Sequence, residues 1–303
     1  YYLEKERLYP ADPQRWFMDD KVLETFISQY IYTSIQPVVE FIWHGGEPLL
    51  RNRTFFEKAM ALQQKHGAGR QIRNTLQTNG TLLNEEWCRF FHDHGFLIGI
   101  SIDGPAHCHD RYRKHRSGKS SFDETLRAVE LLHRHRVEFN TLSVVHDYNV
   151  RYPLEVYRFL KSIGSVYLQF TPIVERLSPD AGDEELQLLP GSFTGDAPVT
   201  ASTVDPDAYG DFLIAIFDEW VRHDVGEVFV ITFDGMLANT LGVPPPLCIY
   251  AETCGNAGVV EFNGDLYSCD HYVFPQYLLG NIRHKTLRTL MESPAQQAFG
   301  RNK

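Results

Sequence analysis

Apolar positions along the first half of the chain alternate between two rhythms. Over 19–35, Val22, Leu23, Phe26, Ile27, Tyr30 and Ile31 fall on one face at helical spacing, and the run 38–43 then reads as a short buried strand. Thr54-Phe55-Phe56-Glu57 has the form of a capping box and predicts a helix start, followed by a strand at 72–78 and a helix at 84–94. A strand at 96–102 closes on Asp103-Gly104-Pro105. Ser121-Phe122-Asp123-Glu124 is a second capping box, opening a helix that runs to about 135. A strand at 137–145 comes next, then a helix through Val156, Phe159, Leu160 and Ile163, then a strand at 166–170. Strands beginning at 38, 72, 96, 137 and 166, with helices between, imply βαβ units and a parallel sheet.

The second half reads differently. Residues 171–205 are rich in Pro, Gly, Asp and Ser and predict a long connection; a helix at 206–223 and a strand at 227–233 follow. Beyond Pro244-Pro245-Pro246, the segments 259–262 and 265–269 flank Asn263-Gly264, which predicts a hairpin with a type I′ turn. The expected organisation is a barrel over 1–175, a connection over 176–205, and a smaller C-terminal region over 206–303.

In a parallel β/α barrel, reactive side chains gather at the carboxyl ends of the strands. Those ends here are 44–48, 77–80, 101–105, 145–149 and 171–175, and they hold most of the unusual polar residues.

Composition narrows the class. The chain has 303 residues, 43% hydrophobic and 22% charged, enough to bury a sizeable core. A net charge of −10 argues against a nucleic-acid binder or a protein held on an anionic membrane. No apolar run approaches the roughly 20 residues that span a bilayer, and the first residues lack the apolar core of a secretory signal. The five cysteines, Cys88, Cys108, Cys248, Cys254 and Cys269, form an odd set that suits a reducing compartment, and a cytoplasmic location is expected.

Two constellations carry chemistry. Gly45-Gly46-Glu47-Pro48 directly follows a strand; the glycines allow close backbone approach to a ligand, and Glu47 offers an acceptor for an amino group. The same tetrapeptide also suits a plain tight turn. Cys248, Cys254 and Cys269, spaced x5 and x14, could hold an iron–sulfur cluster, a zinc ion completed by His271, or nothing at all. Cys88, beside Trp87 and Phe90, reads as a packed thiol, and the loop His107-Cys108-His109 as structural.

Three runs in order, Trp43-His44-Gly45-Gly46-Glu47-Pro48, Gln77-Thr78-Asn79-Gly80-Thr81-Leu82 and Ser101-Ile102-Asp103-Gly104-Pro105, resemble the radical S-adenosylmethionine (SAM) enzymes, and more narrowly the anaerobic sulfatase-maturating enzymes. The resemblance extends over nearly the whole chain, including Val137-Glu138-Phe139-Asn140 and Leu168-Gln169-Phe170. It implies an α/β fold: a partial (β/α)6 radical-SAM barrel with a small C-terminal SPASM-like domain.

By the resemblance, Gly45, Gly46 and Glu47 hold the methionine amino group of S-adenosyl-L-methionine, Ser101 and Arg113 contact its carboxylate and ribose, and Val174 packs near the adenine. Cys248, Cys254 and Cys269 become ligands of an auxiliary [4Fe-4S] cluster, and Asp270 the general base that takes a proton from the substrate. Tyr2, His44 and Gln77 are expected to line the substrate pocket.

One departure stands out. The Cys-x3-Cys-x2-Cys motif that binds the SAM-cleaving cluster is not in this sequence, and in the family it ends just before the position of Tyr1-Tyr2. The expectation is therefore of a chain truncated at both ends and inactive as given, with the remaining auxiliary cysteines beyond Lys303. The intact enzyme would form a 5′-deoxyadenosyl radical, abstract a hydrogen from Cβ of a Cys or Ser of a sulfatase polypeptide, and yield Cα-formylglycine. A reducing donor such as flavodoxin or ferredoxin would supply electrons. The alternatives are another SPASM peptide maturase, forming thioether or carbon–carbon crosslinks, or a non-catalytic binding module.

Overall fold

The computed structural model describes residues 9, 16–67, 69–177 and 197–301. Six parallel strands, β1 Val38–Trp43, β2 Gln71–Thr78, β3 Phe96–Ser101, β4 Phe139–Val145, β5 Tyr167–Pro172 and β6 Phe229–Val230, pair strictly in chain order. Consecutive parallel pairing needs crossovers of one hand, so the connecting helices all lie on one face and the sheet curls into an open barrel. Helix α1 Asp20–Thr33 precedes β1 and packs in the same core, and the five connecting helices are α2 Arg53–Gly67, α3 Glu85–Asp93, α4 Phe122–Arg134, α5 Pro153–Ser162 and α6 Pro206–His223.

Strand alternation separates the two faces. Val39, Phe41 and Trp43 of β1 are buried against the helices. The opposite, concave face stays open: Ile42 is 64% exposed and Tyr167 is 51% exposed. In the core a polar knot links two layers. Asn74 and Gln63 exchange reciprocal amide hydrogen bonds of 2.9 Å, and Trp43 Nε1 donates to Asn74 Oδ1 at 2.8 Å. Satisfying these groups internally is what permits amides between sheet and helix.

Several local expectations need correction. Helix α2 is capped by Asn52, whose Oδ1 accepts from Phe55 N at 3.1 Å, two residues before the expected Thr54 box. Ser121 forms no side-chain cap; its hydroxyl donates to Arg113 O at 2.8 Å and so closes the 113–121 loop. The expected strand at 227–233 shortens to Phe229–Val230 and passes straight into α7, Ile231–Thr240, because burial alternates for only two residues before helical contacts take over. Phe229 and Val230 pair with Tyr167 and Leu168. The parallel sheet therefore continues past residue 175, where the barrel was expected to end.

The C-terminal region is a three-stranded antiparallel sheet, β7 Val259–Val260, β8 Asp265–Tyr267 and β9 Leu278–Asn281, followed by helices α8 Leu287–Met291 and α9 Pro294–Arg301. In the hairpin, Gly264 has φ +90° but Asn263 is not left-handed, so the turn is not type I′. Gly264 N donates to Glu261 O at 2.9 Å, and the left-handed Gly264 then re-enters the ladder, the arrangement of a three-residue loop. This region shares a core with α1 through Val22, Leu266, Ile282, Leu287 and Leu290. Gln29 of α1 fastens it, donating to Ile282 O at 3.1 Å and accepting from Leu287 N at 2.6 Å. Among the described residues no helix is long and apolar enough to cross a membrane.

Candidate active site at the carboxyl ends of the parallel strands

The loop leaving β1 begins at His44. Gly45 has φ +143°, a conformation that strains any side chain, and a Cβ built at Gly45 or Gly46 meets nothing within 4 Å. The two peptide groups therefore face open space, a cradle that a small polar ligand can enter closely.

Glu47 is spoken for by the protein. Its Oε1 accepts from Leu49 N at 3.0 Å and from Thr78 Oγ1 at 2.7 Å, and its Oε2 accepts from Asn79 N at 2.9 Å. The carboxylate thus ties the end of β1 to the end of β2. Burial pushes its pKa up, against the pull of those three donors. Next along the sheet, Gly80 has φ +78°, and a Cβ there would sit 3.0 Å from Ala128 Cβ, so this glycine lets α4 close over the strand end.

Ser101, at the end of β3, is buried and accepts from Gln77 Nε2 at 3.0 Å. Gly99 makes that contact possible. It pairs in register with Gln77 on one side and Asn140 on the other, and a Cβ on it would fall 2.0 Å from Gln77 Oε1 and 3.2 Å from Asn140 Oδ1. Asn140 Oδ1 is buried without a hydrogen-bond partner in the protein.

Arg113 donates from Nε to Asp103 Oδ2 at 2.7 Å, and Asp103 is fully buried. The other Asp103 oxygen accepts from Val144 N at 2.9 Å, so the aspartate joins β3 to β4 while aiming the guanidinium. An arginine fixed in this way is a preorganised anion site. Val174 is 61% exposed beyond the end of β5, and Tyr2 lies outside the described residues.

The three candidate ligand cysteines all lie in the C-terminal region. Cys248 is exposed, Cys254 is half-buried and Cys269 is buried. Burial, then the neighbouring Cys254, raises the Cys248 pKa. Burial pushes Cys269 up to about 12, with Asp270 and Cys254 adding to the shift. Among the described residues, no three His, Cys, Asp or Glu side chains close into a set tight enough for one metal ion.

Asp270 accepts from Cys269 Sγ at 3.3 Å through Oδ1, and its Oδ2 lies 3.9 Å from His44 Nε2. Two of the expected site residues, one from each part of the chain, therefore meet.

The Radical SAM superfamily profile matches residues 9–160, and the SPASM profile, an iron-sulfur cluster-binding domain, matches residues 250–303. The serine-type anaerobic sulfatase-maturating enzyme of Bacteroides thetaiotaomicron is 49% identical over 99% of this chain and 72% of its own length. The chain belongs to the anaerobic sulfatase-maturating enzymes of the radical SAM superfamily. The cysteine-type enzyme of Clostridium perfringens is 34% identical over 93% of this chain and 72% of its own length. Among solved structures, native anSMEcpe with bound AdoMet and the Kp18Cys peptide superposes with a TM-score of 0.82 and 35% identity, over 93% of this chain and 74% of that one. Streptococcus suis SuiB, at 12% identity and a TM-score of 0.61 over 93% of this chain and 61% of its own, shares the fold.

As a member of this family the chain is a radical SAM oxidoreductase that uses S-adenosyl-L-methionine and iron–sulfur clusters. The open glycine cradle and the fixed Arg113 suit the cofactor's amino acid end, and three thiols suit a cluster. Asp103, Thr78 and Asn79 lie inside the family-like runs yet were not singled out by sequence. Their value lies in hydrogen bonds between strand ends, which residue type alone does not reveal.

Proposed function

We propose that this enzyme oxidises a side chain of a sulfatase polypeptide to Cα-formylglycine, with serine as its preferred target and cysteine open to the same chemistry. Similarity supports the serine preference: the serine-type relative from Bacteroides is 49% identical and the cysteine-type relative from Clostridium 34%. The observation that carries the reading is Asp270, seated between the buried Cys269 thiol and His44 at the glycine cradle. A base, a cluster ligand and the cofactor loop share one place.

Bound S-adenosyl-L-methionine, with a reduced cluster, supplies the one-electron chemistry that removes a hydrogen atom from the substrate Cβ. The peptide carbonyls of Gly45 and Gly46 hold the cofactor's amino group, Glu47 serving mainly to fix the loop. Arg113, aimed by Asp103, pairs with the cofactor carboxylate, and Ser101, held by Gln77, supports the ribose. Val174 flanks the adenine. Asp270 takes the proton from the serine hydroxyl, and Cys248, Cys254 and Cys269 would hold the iron–sulfur cluster that would supply a one-electron acceptor beside it. The serine thereby loses two hydrogens in all and its CH2OH becomes an aldehyde. His44 and Gln77 line the path of the peptide, as does Tyr2 in this reading. A flavodoxin or ferredoxin returns electrons, and the reaction is placed in the cytoplasm.

The test is anaerobic turnover of the reconstituted enzyme with matched Ser and Cys peptides, read by mass. Loss of two hydrogens from the Ser peptide, faster than conversion of the Cys peptide, is expected. A crosslinked peptide, or no change in either, overturns the reading.

A further inference from the structure

Gln296, on the last helix, is 2% exposed, and no step of the reaction calls on it. Its amide nitrogen donates to Gly255 O at 2.7 Å and to Ser268 O at 3.0 Å. Gly255 is the residue after Cys254, and Ser268 is the residue before Cys269. One buried side chain therefore spends both of its N–H donors on joining the two cysteine loops. Its own Oε1 has no hydrogen-bond partner in the protein. Burying an amide oxygen unpaired is unfavourable, so the two loop contacts offset a penalty.

The rest of the helix reinforces the contact. Gly300 O accepts from Cys254 N at 3.0 Å. A Cβ on Gly300 would stand 2.4 Å from Cys254 O, so only glycine lets the helix backbone approach the cysteine this closely. Gly255, with φ +94°, completes the fit: a Cβ there would lie 3.3 Å from Gly300 Cα.

We infer that Gln296 is a positioning residue for the auxiliary cluster, setting the separation of the Cys254 and Cys269 thiolates, with Gly300 as the contact that docks its helix. This rests on the reading of these cysteines as cluster ligands. Groups that orient metal ligands without touching the metal typically carry a 10–100-fold share of its retention. Because Gln296 acts on loop carbonyls and not on sulfur, its loss should loosen the cluster's geometry and leave the cofactor-cleaving cluster untouched.

The experiment compares the reconstituted holoenzyme with Gln296→Met, which keeps the volume and removes both donors, and with Gln296→Glu, which keeps the shape. Two readouts are needed: the reduced-state EPR signal that is insensitive to added S-adenosyl-L-methionine, and the rate of iron loss to a chelator. The expected result is an altered SAM-insensitive signal with iron lost about 10-fold faster, while the SAM-sensitive signal holds. An unchanged signal and unchanged iron loss in the folded variants overturn the inference. Should Gln296→Met fail to fold, Gln296→Glu gives the same two readouts. A wild-type holoenzyme with no SAM-insensitive signal instead overturns the cluster reading, and this inference with it.

Discussion

His44 Nε2 stands 3.9 Å from Asp270 Oδ2. His44 leads into the glycine cradle at the end of the first barrel strand, while Asp270 follows the last cysteine of the C-terminal region. The contact brings the proposed base to the cofactor's doorstep, although 225 positions separate 44 from 270 in the sequence. Asp270→Asn should therefore lower formylglycine formation by about 10²–10⁴-fold, the usual share of a general base. Release of 5′-deoxyadenosine should continue, because cofactor cleavage does not need that proton transfer. Equal loss of both products would mean that Asp270 serves the cofactor site instead.

Glu47 holds three donors at once. Replacing it by glutamine turns one acceptor into a donor facing another donor. Glu47→Gln should cost about 1–3 kcal/mol in urea unfolding and weaken S-adenosyl-L-methionine binding. Unchanged stability would show that the loop does not depend on this carboxylate.

Gly99 and Gly80 should separate stability from binding. At Gly99 the obstacle to a methyl group is the tip of Gln77, 2.0 Å away, which can swing aside. Gly99→Ala should cost less than about 1 kcal/mol in stability yet raise the cofactor Kd about 5–10-fold, by breaking the Gln77–Ser101 bond. At Gly80 the obstacle is Ala128 Cβ at 3.0 Å together with φ +78°. Gly80→Ala should cost about 1–3 kcal/mol. Denaturant unfolding and equilibrium binding on both variants check the contrast.

Stability should also respond to mild acid through His109. It is buried, its Nδ1 lies 3.5 Å from Asp103 N and its Nε2 lies 3.1 Å from Ser121 Oγ. Burial lowers its pKa from 6.5 to about 4. Between those values the unfolded chain binds a proton that the folded chain refuses, so stability falls as pH drops from 6.5 towards 4. Relative to His109→Gln, the wild type should lose about 2 kcal/mol between pH 7 and pH 5. Parallel curves for the two proteins would contradict this.

Much of this architecture was legible in the chain because it follows from periodicity. Each of the first five strands was expected from an apolar run, and each ends at or within a few residues of the expected place. The glycine cradle was legible too, since Gly45 and Gly46 directly follow a strand. What escaped depends on partners distant in sequence. A strand was expected at 227–233, but its reduction to the two residues of β6 and its pairing with Tyr167 and Leu168 in the barrel sheet are signalled by no local pattern. Glu47 was expected to serve the ligand because its own peptide says nothing of Thr78 and Asn79. Gln296 looks like an ordinary helix residue until Gly255 and Ser268 are folded beside it.

The most direct test of the account follows the hydrogen atom. A serine peptide deuterated at Cβ of the target residue, turned over anaerobically by the reconstituted enzyme, should deliver its label to 5′-deoxyadenosine as the aldehyde forms. Unlabelled 5′-deoxyadenosine alongside product, or label transferred only from Cα, would contradict oxidation at Cβ and with it the proposed activity.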